Sequence, residues 1–185
     1  QLGDDAEKIN NLFLALEKQI PKHFFGYDRD TLPHIIGKQL IEKKLSIGTV
    51  ESCTAGMLAS QISSIPGASA YYEGALLTYS YKIKTSLAKV PAELIQKEGA
   101  VSEPVAIQMA ENGREILGAD ICISTTGIAG PGGGTETKPV GMVWIAIATK
   151  EGTTTKKMQF SKHRERNIKM TVLSALNLLR LELRK

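Results

Sequence analysis

Ile47-Gly48-Thr49-Val50-Glu51-Ser52-Cys53-Thr54-Ala55-Gly56 is the stretch on which the reading of this chain turns. Leu45, Ile47 and Val50 form a short apolar run that stops at Glu51-Ser52-Cys53-Thr54, and Met57 to Ile62 then reads as a helix. A strand that ends in a hydroxyl residue at the start of a helix has a particular chemistry. The first N–H groups of the helix lack intrahelical acceptors and carry the positive end of its dipole, so negative charge is stabilised there. Such a place suits a bound anion, or a nucleophile with its oxyanion hole. The plainer reading, Ser52 or Thr54 as a helix cap, stands beside these two.

Working outward, Ile9, Leu12, Phe13, Leu16 and Ile20 recur at helical spacing over residues 4 to 20, and Pro21 stops that helix. The aromatic connector His23 to Asp30 follows. Asp30 or Thr31 then caps a second helix that turns Leu32, Ile35, Ile36, Leu40 and Ile41 inward, with Pro33 tolerated in its first turn. The strand from Ser46 to Glu51 leads into a helix from Ala55 to Ser64, ended by Pro66-Gly67. Residues 70 to 80 have strand character, and Gly74 inside them signals a bulge or a close backbone approach. Short helices fit Ile83 to Leu87 and Ala92 to Lys97, and a longer one starts at Ser102-Glu103-Pro104 and runs to Leu117. Ala119 to Thr126 reads as a central strand ending in the glycine-dense loop Gly127 to Gly134. Gly141 to Thr149 and Thr153 to Ser161 form a hairpin, and a last helix from Arg164 to Arg180 buries Ile168, Val172, Leu173, Leu176 and Leu179. Strands alternating with helices and then a hairpin predict an α/β fold, a three-layer α/β/α arrangement with a mixed β-sheet.

Composition narrows the function classes. With 185 residues and 42% hydrophobic content the chain suits one well-cored domain. A net charge of +4 spread along the chain argues against nucleic acid, whose binding needs basic residues concentrated on one face. No apolar run approaches the roughly 20 residues that span a bilayer, and the polar start QLGDDAEKIN is unlike a signal peptide. Cys53 and Cys122 read as free thiols of a reducing compartment, so a cytoplasmic protein without membrane partners is expected.

Ser52, Tyr79 and Thr126-Gly127 each follow a predicted strand, and ligands of open α/β sheets collect at the carboxyl ends of strands, so a shared site is expected. The loop GIAGPGGGTETKP is neither a Walker loop nor a dinucleotide fingerprint. Its glycines let backbone amides approach a phosphate or carboxylate, or serve only the turns of a surface loop. His23, His34 and His163 lie away from the serine in sequence, which leaves Lys84, beside Tyr79, as a base for an Oγ nucleophile, provided that burial brings its pKa towards neutrality. Taken alone, Lys84 reads equally as a solvated surface lysine. No His, Cys or carboxylate set has clear metal-ligand spacing, and neither metal nor cofactor is expected.

VESCTAG, the segment YYEGALLTYS running on to Lys84, TTGIAGPGGGTETKPVG and the stretch Phe160 to Arg164 resemble, in order, the motifs of the CinA C-terminal domain, the PncC-type nicotinamide-nucleotide amidase family. The resemblance runs from about Thr31 to the end of the chain. It implies hydrolysis of the carboxamide of nicotinamide mononucleotide, a small-molecule substrate, to nicotinic acid mononucleotide and ammonia, in pyridine-nucleotide salvage. It places the family's serine on Ser52, its tyrosine on Tyr79, its lysine on Lys84 and its threonine on Thr126. On this reading Ser52, Tyr79 and Lys84 are catalytic. The oxyanion falls to the amides near Cys53 and Thr54, and the ribose phosphate to Thr126, the loop glycines Gly127, Gly130 and Gly132, and Arg164. Ser52 becomes the acylated residue and Thr54 the cap.

The chain departs from the family pattern at three places. Tyr81-Lys82 stands where Asn-Glu is usual, Lys162-His163 precedes Arg164 in place of Gly-Asp/Asn, and Ala55 takes the position of a glycine. These departures motivate the alternative of a nucleotide-binding or regulatory module without turnover. Residues 1 to 30 resemble the end of the region that precedes this domain in two-domain CinA (competence-damage inducible) proteins. They imply a helix and connector left from an upstream part with an ADP-ribose-hydrolysing domain, and an amidase domain over residues 31 to 185. A homo-oligomer, a dimer through Ile9, Leu12, Phe13 and Leu16, is a further expectation.

Overall fold

The computed structural model describes residues 2–21, 23–27 and 29–185; Gln1, Lys22 and Asp28, which fall in the stretch read as a helix and connector from an upstream part, lie outside the described residues. Seven α-helices and five strands follow one another among them: α1 (Leu2–Gln19), α2 (Leu32–Lys43), β1 (Ile47–Glu51), α3 (Met57–Ser63), β2 (Tyr72–Leu77), α4 (Tyr81–Ser86), α5 (Ala92–Glu98), α6 (Glu103–Leu117), β3 (Ile121–Gly127), β4 (Met142–Thr149), β5 (Gly152–Gln159) and α7 (Arg164–Glu182). The sheet runs β2-β1-β3-β4-β5. β1 pairs parallel with β2 and β3, and the β4–β5 hairpin adds antiparallel on the far side of β3. This is the expected mixed sheet, with β3 at its centre. The predicted irregularity at Gly74 appears as a register shift, where Ile47 pairs with Tyr72 and Gly48 already with Gly74.

Alternation along the strands divides the core between two layers. On one face Ile47, Ile121, Ile123, Val143, Ile145 and Ile147 pack against the inward stripe of α2, formed by Leu32, Ile36 and Leu40. Leu58 of α3 and Val172, Leu176 and Leu179 of α7 complete that layer. On the other face Val50, Leu76 and Cys122 meet Ile95 of α5 and Val105 and Met109 of α6. All five residues of β1 are buried, as a parallel strand covered on both faces requires. Gly113 of α6 permits this packing, because a Cβ there would lie 2.2 Å from Val50 Cγ2 and 2.9 Å from Cys122 Sγ.

Some helix faces differ from expectation. Ile41 (54% exposed) and Leu173 (50%) point outward, since Leu32, Ile36 and Leu40 on α2 and Val172, Leu176 and Leu179 on α7 already form stripes that turn these neighbours about 100° away. The apolar side of α1 also faces solvent at Ile9, Leu12 and Leu16, as does Ile20 just after it. Phe13 gains aromatic company, with Phe24 and Tyr27 of the connector. The connector is held to α7 by Arg180 Nη1, which donates to Phe24 O at 3.2 Å, and just past α7 Arg184 Nη1 donates to Pro21 O, ahead of the connector, at 3.2 Å. No helix among the described residues is long and apolar enough to cross a membrane.

Candidate active site

β1, β2 and β3 are parallel neighbours, so their carboxyl ends open on the same edge of the sheet. A cavity of about 200 Å³ lies there. Ser52 and Cys53 line it from the end of β1, Tyr79, Tyr81 and Lys84 from the segment after β2, and Thr126 and Gly127 from the end of β3. Ala129 and Arg164 complete the side towards α7.

Lys84 is 1% exposed, and its Nζ has three oxygen neighbours: Ser52 Oγ at 2.8 Å, Thr78 O at 2.6 Å and Tyr79 O at 3.5 Å. Burial pushes its pKa down from 10.5 to about 8, against a smaller opposing influence of Cys53. A neutral amine has two hydrogens and one lone pair. The two carbonyl oxygens can only accept, so they engage the hydrogens, and the lone pair is left for the Ser52 hydroxyl. This arrangement can take a proton from Oγ. Burial pushes the neighbouring Cys53 thiol up to about 12, so it stays protonated and is a poor nucleophile at neutral pH.

The start of α3 is built differently from the sequence reading. Ala55 has φ +49 and Gly56 φ +94, so the chain makes a left-handed turn and α3 begins only at Met57. Glycine adopts such angles without steric cost, which accounts for the family pattern at position 55. Thr54 is not the cap: the N-cap position is Gly56, and the Thr54 hydroxyl lies 2.8 Å from that of Thr125. The fully buried Glu51 carboxylate takes over that work. It accepts from Gly56 N at 2.9 Å and Leu58 N at 3.1 Å through Oε2, and from Ala59 N at 2.7 Å through Oε1. No backbone carbonyl among the described residues accepts from the N–H of Cys53 or Thr54, the Cys53 amide facing its own sulfur, and these two amides lie beside Ser52 for a developing charge. Glu51→Ala strips three N–H groups of a charged acceptor in a buried place. It is expected to cost about 3 kcal/mol or more, read as a fall in the denaturant midpoint.

The other expected site residues are distributed as follows. Thr126 is buried and donates its hydroxyl to Ala100 O at 2.7 Å. Arg164, the first residue of α7, donates from Nη1 to Gly130 O at 3.0 Å and from Nη2 to Tyr79 Oη at 3.3 Å. The Tyr79 hydroxyl thus engages Arg164 rather than Lys84, and only the Tyr79 carbonyl reaches the lysine. Gly132 is exposed, outside the cavity lining. Asn167, absent from the sequence reading, is fully buried and donates from Nδ2 to Ala129 O and Ser161 O, both at 2.9 Å, which ties the glycine loop to α7. Gly141, at φ +87, lets the loop return: a Cβ there would lie 2.5 Å from Ser161 O. Among the described residues no group of three or more His, Cys, Asp or Glu side chains is placed to hold a metal ion.

Fold and site together define a three-layer α/β domain with a buried serine–lysine pair at the carboxyl edge of a mixed sheet. The chain belongs to the CinA C-terminal domain family, whose model matches residues 29–183. It is 49% identical to a CinA-like protein of Cytophaga hutchinsonii, over 99% of this chain and 45% of that protein. A CinA-like protein of Desulfotalea psychrophila is 42% identical over 90% of this chain and 40% of its own length. The chain therefore spans less than half the length of these curated relatives. Among solved structures, the competence/damage inducible protein CihA of Agrobacterium tumefaciens superposes with a TM-score of 0.81 at 33% identity, covering 88% of this chain and 99% of that one. A CinA superfamily protein of Klebsiella pneumoniae gives 0.80 at 32% identity, over 82% and 95%.

Proposed function

We propose that this domain hydrolyses the carboxamide of nicotinamide mononucleotide to nicotinic acid mononucleotide and ammonia. The observation that carries amide hydrolysis is the buried Lys84 Nζ, 2.8 Å from Ser52 Oγ, with two carbonyl oxygens to engage its hydrogens. The choice of substrate rests on the resemblance of the VESCTAG, TGIAGPGGG and KPVG motifs to the PncC-type amidases.

In this mechanism neutral Lys84 takes the Ser52 proton as Oγ attacks the carboxamide carbon. The amides of Cys53 and Thr54 hold the oxyanion. Lys84 then returns the proton to the departing nitrogen, ammonia leaves, and water activated by the same lysine cleaves the acyl ester to the carboxylate. Arg164, at the mouth of the cavity, is the counter-charge for the ribose phosphate, and Thr126, Gly127 and Ala129 shape that end.

The test is ammonia release from nicotinamide mononucleotide by the folded protein across a range of pH. Release above the buffer rate is the expected result, and none at any pH overturns the proposal. Calorimetric binding of the nucleotide without release would instead favour the binding-module alternative, which Tyr81 in the cavity lining, in place of the family's asparagine, motivates.

A further inference from the structure

Two tyrosines line the cavity while keeping most of their surface in solvent, Tyr79 at 61% and Tyr81 at 66% exposed. Tyr79 is anchored through its hydroxyl by Arg164. Tyr81 has no such anchor among the described residues, but its backbone is fixed: it opens α4 behind the cap Ser80, whose Oγ accepts from Ile83 N at 3.2 Å. Tyr81 also lines a second groove of about 780 Å³, with Thr85, Ala92 and Ile95. Tyr81 is therefore shared by the small cavity and the larger groove.

The charges around the cavity make this position matter. Its charged lining residues are Lys84 and Arg164, and no carboxylate lines it. Glu51, behind Ser52, is buried and already engaged by three N–H groups. A flat head group bearing positive charge would find no anion here. The two tyrosines are the aromatic residues of the lining, and the face of an aromatic ring attracts cations.

We propose that Tyr81 is a specificity-determining residue that covers one face of a planar, cationic aromatic head group, and so selects carboxamides on a charged ring over those on an uncharged one. The identity of the head group rests on the amidase reading; the selection by charge rests on the cavity lining.

The test compares nicotinamide mononucleotide, whose ring is a pyridinium, with its reduced 1,4-dihydro form, which has the same ribose phosphate and an uncharged ring. Binding of both is measured by calorimetry to the Ser52→Ala protein, where turnover does not interfere. The oxidised form is expected to bind about 10-fold more tightly, with Tyr81→Phe keeping that preference and Tyr81→Leu reducing it to about 2-fold, the remainder owed to Tyr79. Circular dichroism melts of the variants verify that each is folded. Equal affinity for the two forms, or a preference unchanged in Tyr81→Leu, overturns the proposal. Failure of both forms to bind overturns it together with the amidase reading. Discrimination between them by a protein that releases no ammonia sustains the selection and sinks the amidase reading alone.

Discussion

Ser52→Ala is expected to lower ammonia release from nicotinamide mononucleotide by about 10⁴-fold while leaving the nucleotide's dissociation constant within about 3-fold. The size of the first effect follows from the absence of a substitute nucleophile. Cys53 is adjacent, but its thiol, pushed up to about 12 by burial, supplies almost no thiolate at neutral pH. Thr54 is buried with its hydroxyl paired to Thr125, and the Thr126 hydroxyl donates to Ala100 O. The small second effect follows from what remains: the amides beside residue 52, both tyrosine rings and Arg164 are untouched by loss of one oxygen. Steady-state ammonia assay and calorimetry on the same preparation separate the two. A variant that kept full activity would remove Ser52 from the chemistry.

The location of this site was legible because it depends on chain order. A strand ending at Ser52, another before Tyr79 and a third ending at Thr126 have their carboxyl ends on one edge once the three are parallel, and apolar runs with intervening helices signal parallel strands. The support of the site was not legible, because it depends on contacts between side chains and distant backbone. Glu51 beside Ser52 gives no periodic signal of burial, yet the left-handed turn at Ala55 and Gly56 brings three amides onto its carboxylate. Asn167 is one polar residue of an amphipathic helix until the glycine loop is seen to end against it. Helical spacing likewise marks an apolar side on α1 without saying what covers it, and in the single chain Ile9 and Leu12 remain exposed.

The lysine makes the sharpest demand on pH. With a folded pKa of about 8, Lys84 must lose its proton before it can serve as base, so kcat/KM is expected to rise about tenfold per pH unit below that value and level off above it. Lys84→Met is expected to reduce kcat by about 10³-fold and to abolish this rise. Stability should carry the same signature. The folded-state pKa lies below the ordinary 10.5, so between the two values the unfolded chain binds more protons and stability increases with pH. Below about 8 both states are protonated and the full penalty of burying the ammonium applies, on the order of 3 kcal/mol. The buried thiols of Cys53 and Cys122, raised from 9.0 to about 12, act in the opposite sense above 9, where the folded state holds the extra protons. The thiols remain in Lys84→Met, so their effect cancels in the difference between the two proteins: from about pH 7.5 to about pH 9, denaturant melts should show the stability of the parent rising relative to Lys84→Met by about 1 kcal/mol. A difference that did not change with pH would mean that Lys84 is not held near neutrality by burial, and the base assignment would fall with it.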